Sequence, residues 1–252
     1  MRFIYYAKTM ASGPKSSALP LEDSAPPLNL LLQEARWLPN LLRARHAPEV
    51  RAREQVADGD PVLTLPGLCA SDDSMKQLRL NLNAVGFSAK RWKLGRNFGA
   101  REDTIERIDK RVRYIHQQTG RRVHLVGWSL GGIMAREYAK WHPELIASVV
   151  TLGSPFSGSL KTNHAWRLYE LVARHKVEEL PIALHESAKP PVPTYALWSP
   201  QDGVVSHYGS HGGEGEADQS FEVNCGHMGF AFDQRAIDAV IDCLADARRR
   251  IP

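Results

Sequence analysis

His124-Leu125-Val126-Gly127-Trp128-Ser129-Leu130-Gly131-Gly132-Ile133 is the stretch whose reading decides the fold. An apolar run, Val123 to Val126, passes straight into Gly-x-Ser-x-Gly and then into a helical pattern. The predicted context is strand, tight turn, helix. Such a turn holds its serine on a strained bend, with the hydroxyl exposed at the helix N-terminus. Glycines flank the serine where a Cβ would strike the neighbouring strand and helix. The motif alone is common by chance. The strand before it and the helix after it make Ser129 a candidate nucleophile.

Outward from this turn, strands and helices alternate from Pro61 onward. Pro61–Leu65 reads as a short buried strand, and Pro66-Gly67 turns it into a helix capped by Ser71, Asp72 or Asp73. Met75, Leu78, Leu82 and Val85 mark that helix's buried face, and Gly86 ends it. Phe87–Leu94 reads as a second strand, followed by a loop at Gly95–Gly99. The next helix buries Ile105, Ile108, Val112 and Ile115 and stops near Gly120. After Ser129 a helix runs to Trp141, stopped by Pro143. Ser148–Leu152, Thr194–Trp198 and Phe221–Val223 are further strands. A last helix buries Ile237, Val240, Ile241 and Leu244. Alternation of this kind predicts an α/β fold with a mostly parallel central sheet and helices on both faces. In such sheets ligands bind beyond the carboxyl ends of the strands.

Two segments stand outside the rhythm. Residues 1–60 form an N-terminal extension, of which 9–27, rich in Ser, Pro, Ala and Gly, read as a flexible lead-in. Leu28 to His46 follows, with Leu28, Leu31, Leu32, Ala35, Leu38 and Leu42 at helical spacing and Pro39 set to end or kink the helix. Its Arg36, Arg43 and Arg45 would suit peripheral contact with an anionic membrane or cover of an acyl pocket. Leucine stripes mostly serve cores, so packing onto the main domain is the expectation. Residues 61–252 form the main domain, interrupted by a small cap insertion at about 156–192. There Trp166, Leu168, Tyr169, Leu171 and Val172 make an apolar helical stripe that fits either an acyl pocket or packing on the sheet. Arg96 and Asn97 fit either the pocket or a structural turn.

A serine hydroxyl is a poor nucleophile without a base, and the base needs an orienting acid. Both candidates follow predicted strands: Asp202 in Ser199-Pro200-Gln201-Asp202-Gly203 and His227 in Asn224-Cys225-Gly226-His227-Met228. His227 would take the Ser129 proton, and Asp202 would fix the imidazole tautomer. Of ten histidines, His124 sits at the wrong end of its strand, and His207 and His211 lie in a Gly-rich loop that should be solvated. His207, His211, Glu214, Glu216 and Asp218 lack a firm metal-ligand spacing, and no metal is expected. Asp72 and Asp73 sit in the wrong region to orient His227. An oxyanion needs preorganised donors. The backbone N–H of Leu130 and that of Leu68, approached through Gly67, are the candidates. Trp128, Phe156, Trp166 and Met228 are candidates to line the substrate pocket. Cys69 and Cys225 should lie near its mouth.

Composition sets the outer bounds. The 252 residues are 43% hydrophobic and 24% charged, with a formal net charge of +4. That excess is small, and Arg248-Arg249-Arg250 reads as a solvated helix end, so no nucleic-acid partner is expected. Three cysteines give no disulfide framework and suit a reducing, cytoplasmic setting. No stretch approaches the ~20 apolar residues of a membrane span.

The chain resembles the α/β-hydrolase superfamily, and within it the bacterial lipase/esterase-like branch. Leu65-Pro66-Gly67-Leu68, Val126–Gly132, Thr151–Phe156, Ser199–Val205 and Gly226–Phe230 carry the likeness, which runs from about Pro61 to Leu244. The order Ser129, Asp202, His227 is that of the superfamily. The resemblance implies hydrolysis of a carboxylic ester or lipid through an acyl-enzyme on Ser129, without cofactor. An acyltransferase on the same residues and an inactive binding module of the same fold are the alternatives. One departure stands out: many lipases carry His-Gly where this chain has Pro66-Gly67. A backbone oxyanion donor survives that change, but the side chain's support of the loop does not.

Overall fold

A computed structural model describes residues 25–101, 103–158, 163–164, 166, 169–170 and 188–250. The strands are β1 (Pro61–Leu65), β2 (Ser88–Arg91), β3 (Val123–Trp128), β4 (Ile146–Leu152), β5 (Thr194–Trp198) and β6 (Gln219–Glu222). They form one sheet in the order β2-β1-β3-β4-β5-β6, and every neighbouring pair is parallel. Among the described residues the helices with settled bounds are α1 (Leu28–Glu34), α2 (Leu38–His46), α3 (Lys76–Ala84), α4 (Thr104–Thr119), α5 (Leu130–Trp141), α6 (His207–His211) and α7 (Gln234–Arg250). β1, β3 and β4 are buried at every position, as strands covered on both faces must be. Alternate side chains separate two cores. Leu63, Leu65, Val123 and Leu125 pack against α4 and α5. Val62, Val126, Val150 and Leu197 pack against α2, α3 and α7.

From β1 the chain crosses to β2 on one side, and β3 to β6 build out on the other. The strand order therefore reverses between β1 and β3. The crevice beyond their carboxyl ends is the topological switch point, where such sheets bind ligands.

Several boundaries differ from the sequence reading. The second strand is Ser88–Arg91 rather than Phe87–Leu94. The Trp92 and Lys93 N–H groups turn away from the ladder to Asp72, at 2.9 and 3.2 Å. The same contact corrects the cap before α3. Ser71 makes no side-chain cap bond, residues 72–75 form a 3₁₀ turn, and Asp72 ties that turn to the end of β2. The last strand begins two residues early and ends one early, at Gln219–Glu222, and β4 begins two residues early, at Ile146. α4 ends at Gly120, whose φ of +65° suits glycine alone without strain.

The Leu28–His46 segment departs most. It breaks at a 3₁₀ turn, Ala35–Trp37, and Pro39 falls in the first turn of α2. Pro39 has no N–H to give the Ala35 carbonyl, so the break precedes it. Leu28 and Leu32 are 67% and 76% exposed, and Leu38 and Leu42 are exposed too. Glu34, Leu41 and Ala44 are buried instead. Residues two apart lie on nearly opposite sides of a helix, so burying Glu34 turns Leu32 to solvent. Residues 9–24 of the lead-in and Leu168, Leu171 and Val172 of the insertion lie outside the described residues. Trp166 is half-buried and Tyr169 buried against the α4–α5 core. Among the described residues no helix is long and apolar enough to cross a membrane.

His124, at the start of β3, faces the interior far from Ser129. Its Nδ1 lies 2.7 Å from Ser148 Oγ. Burial lowers it from the ordinary 6.5 to about 4, against the partial pull of Asp60. The unfolded chain thus binds a proton on this ring that the folded protein refuses. Stability from this residue is whole above the unfolded value and falls as pH drops toward the folded one. From neutral pH to about pH 4 it should cost about 3 kcal/mol. Urea unfolding of the wild type and H124N across that range checks this. The variant should lose less stability on acidification, and equal losses would refute the assignment.

Candidate active site

β3 hands the chain to α5 through Ser129 alone. Ser129 stands at φ +53° and ψ −122°, a region that side-chain-bearing residues rarely adopt. Its N–H donates to Leu152 O at 2.8 Å, and its carbonyl accepts from Gly132 N at 2.9 Å as α5 begins. Two absent side chains allow the junction. A Cβ on Gly127 would meet Gly131 O at 2.4 Å, and one on Gly131 would meet Leu65 O at 2.2 Å. The α5 N-terminus therefore presses against the ends of β1 and β3, with the first N–H groups of the helix beside Ser129.

The structure brings Asp202 and His227 together. Asp202 follows β5, and its Oδ1 accepts from Val204 N and Val205 N, both at 2.8 Å. Its Oδ2 lies 2.7 Å from His227 Nδ1. A carboxylate only accepts, so Nδ1 carries the proton and Nε2 keeps its lone pair. Both side chains are buried. Burial pushes the His227 titration down, but the Asp202 carboxylate and then Glu34 outweigh it and hold the imidazole above its ordinary 6.5. Trp128 Nε1 donates to His227 O at 3.1 Å, and its ring lies 5.9 Å from the imidazole.

The Pro66–Ala70 loop leaves β1 beside Ser129. A Cβ on Gly67 would lie 3.3 Å from Ser129 Cβ, so the loop backbone runs against the serine. Leu68 follows, and Cys69 takes φ +56°. Asn97, fully buried, holds this loop. Its Nδ2 donates to Pro66 O at 2.7 Å, and its backbone exchanges bonds with Cys69 N and Ala70 O at 2.7 and 2.8 Å. Asn97 serves a structural turn, but its amide is buried rather than solvated and supports the loop. Arg96 Nη1 donates to Cys69 O at 2.6 Å and supports it from outside.

The pocket candidates sit as follows. Trp128 is buried with its N–H engaged, and Met228 is half-buried against the α2–α3–α7 core. Trp166, like Leu68, packs half-buried on the α4–α5 core. Phe156 carries the Arg136 guanidinium 4.0 Å above its ring centre. Cys225 is fully buried beneath the His227 loop rather than at a pocket mouth, and burial pushes its thiol up. His207 and His211 are half-buried against Trp198, at 5.9 and 5.8 Å between ring centres, not free in solvent. Among the described residues no group of three His, Cys, Asp or Glu side chains is placed to hold a metal ion.

Sequence reasoning missed Glu34. It comes from α1, is 6% exposed, and reaches the loops of both Asp202 and His227. Its Oε1 accepts from His227 N at 2.7 Å and Gly203 N at 2.9 Å, and its Oε2 from Met228 N at 3.1 Å. One signal was available: Glu34 is the sole acid between Leu28 and His46.

The family model described as alpha/beta hydrolase fold matches residues 62–181. A monoacylglycerol lipase of Paleococcus ferrophilus is similar in structure, with TM-score 0.55 at 18% identity, covering 75% of this chain and 97% of its own. The mature form of Bacillus licheniformis lipase BlEst2 gives 0.56 at 17%, covering 78% and 95%. MGS-MChE2, an alpha/beta hydrolase enzyme from a lagoon-sediment metagenome of Mar Chica, Morocco, gives 0.52 at 18%, covering 77% and 93%. No curated protein matches the sequence. Residues 62–181 therefore match the α/β-hydrolase fold, and that fold supports a hydrolase.

Removing the Asn97 amide leaves the Pro66 carbonyl unpaired in a buried place. N97A should lose about 1–3 kcal/mol in urea unfolding. It should also expose Cys69, read as faster reaction with a thiol reagent under native conditions. Wild-type stability and Cys69 reactivity would show that Asn97 does not hold the loop.

Proposed function

We propose that this protein is a serine hydrolase of the bacterial lipase/esterase-like branch, cleaving carboxylic esters through an acyl-enzyme on Ser129. The observation that carries the reading is the 2.7 Å Asp202–His227 hydrogen bond on the sheet edge where Ser129 occupies its strained turn. In this reading Ser129 Oγ attacks the ester carbonyl while His227 Nε2 takes its proton. The oxyanion accepts from the Leu130 N–H, at the α5 N-terminus, and from the Leu68 N–H, in the loop that Asn97 holds. The intermediate collapses, the C–O bond to the alcohol breaks, and His227 returns the proton to the leaving oxygen. Water then attacks the acyl-enzyme by the same route, releasing the acid and restoring Ser129. With an alcohol in place of water the same steps give acyl transfer. Asp202 holds the imidazole and balances the imidazolium.

A fluorophosphonate probe should label the wild type and not S129A. Labelling should fade as pH falls and His227 gains its proton, with the midpoint above 6.5, the ordinary value of a histidine. p-Nitrophenyl esters from acetate to palmitate should be hydrolysed by the wild type alone. No labelling, or equal labelling of S129A, would leave the binding-module alternative standing.

The proposal extends to peripheral contact with a lipid surface. Leu28, Leu32, Leu38 and Leu42 are exposed together with Arg36 and Arg43 on the helices that rest on the His227 loop. Apolar and basic groups on one such segment suit an anionic bilayer. The wild type should float with phosphatidylglycerol vesicles and L28S/L32S should not. Equal flotation of the two would remove this extension.

A further inference from the structure

We propose that Glu34 is a positioning residue of the site, its carboxylate setting the Asp202 loop and the His227 loop in fixed relation to each other. The inference rests on the hydrolase reading above and names a residue outside the matched region, which begins at residue 62. The acid loop leaves β5 and the base loop leaves β6, and each must carry its side chain to the other. Glu34 spans the two with a single oxygen. Oε1 accepts from Gly203 N, one residue after the acid, and from His227 N, the base's own amide. Oε2 takes Met228 N, so three N–H groups converge on one buried charge. Hydrogen bonds to an ionised acceptor are the strong ones.

The surrounding shape fits the same role. A Cβ on Gly203 would lie 2.3 Å from Leu30 O, so the α1 backbone abuts the acid loop. A Cβ on Gly226 would lie 2.3 Å from Trp37 Nε1, so the indole fills the space before the base. α1 and its 3₁₀ turn are thus seated on both loops.

Position is not the whole effect, because Glu34 also adds negative charge near His227. The charged groups acting on the imidazole are Asp202 and Glu34, after the opposing effect of burial. Cys225, between the loops, faces Asp233, Asp202, Arg235 and Glu34, and burial keeps its thiol protonated. Charge and position are therefore read separately, the charge in the base's titration and the position in the rate at unchanged charge.

The test compares wild type, E34Q and E34D in the pH profile of kcat/KM for a p-nitrophenyl ester, with fluorophosphonate labelling beside it. E34Q keeps the shape but turns an amide N–H₂ toward one of the backbone donors and removes the charge. Its kcat/KM should fall by about tenfold or more. Its acid limb should move to lower pH, because losing a negative neighbour weakens proton binding by His227. E34D keeps the charge and withdraws it by one methylene, so its rate should fall while its acid limb stays with the wild type. Wild-type rates in either variant, or a slowed E34Q whose acid limb has not moved, would overturn the proposal. Should E34Q fail to fold, E34D decides by its rate: wild-type kcat/KM in E34D would overturn the proposal. A wild type that the probe does not label overturns the hydrolase reading and this proposal together. Labelling that E34Q leaves unchanged overturns this proposal alone.

Discussion

Strand β3 passes to helix α5 with one residue between them, and that economy depends on backbone meeting backbone at Gly127 and Gly131. Any side chain at either position would force the helix off the ends of β1 and β3. With the helix held there, Ser129 has no room for relaxed dihedrals and takes a positive φ. The Pro66–Ala70 loop is drawn against the serine by the same contact, and Asn97 fixes it from behind. The strain at one residue is thus sustained by packing on all sides.

Much of this was legible because a parallel sheet sends every strand's exit to the same edge. Once β1, β3, β5 and β6 are recognised, the loops at Pro66, Ser129, Asp202 and His227 must gather there, and the Asp202–His227 contact follows. The apolar runs of β1, β3 and β4 left little choice of assignment. Strand ends were less clear, because they depend on partners that periodicity does not reveal. β2 stops at Arg91 because Asp72, nineteen positions before it in the chain, takes the next two N–H groups.

The N-terminal helices were misread for a physical reason. Periodicity finds a stripe but does not say which side of the helix meets the protein. At Leu28–His46 the stripe is leucine, yet the buried side is led by a carboxylate. Burying Glu34 is favourable only because three backbone N–H groups wait for it, and two of its donors, Gly203 and His227, lie 169 and 193 residues away. Buried charge is costly without such partners. The sequence displays the acid at position 34, but not the amides that satisfy it. The leucines were then left outside, where they await a use other than the core.

Those separations also bear on when the site comes into being. Contacts between distant parts of a chain form slowly, since a long loop must close before they contribute. During synthesis the elbow at Ser129 can fold from the strands and helices around it while the chain is still growing. The clasp between α1 and the loops at Gly203 and His227 can close only after residue 228 has left the ribosome. Until then α1 carries an unpartnered carboxylate among leucines, a poor candidate for early burial. The loops that Glu34 joins thus lie just beyond the sheet's last strand, so the clasp waits on nearly the whole sheet.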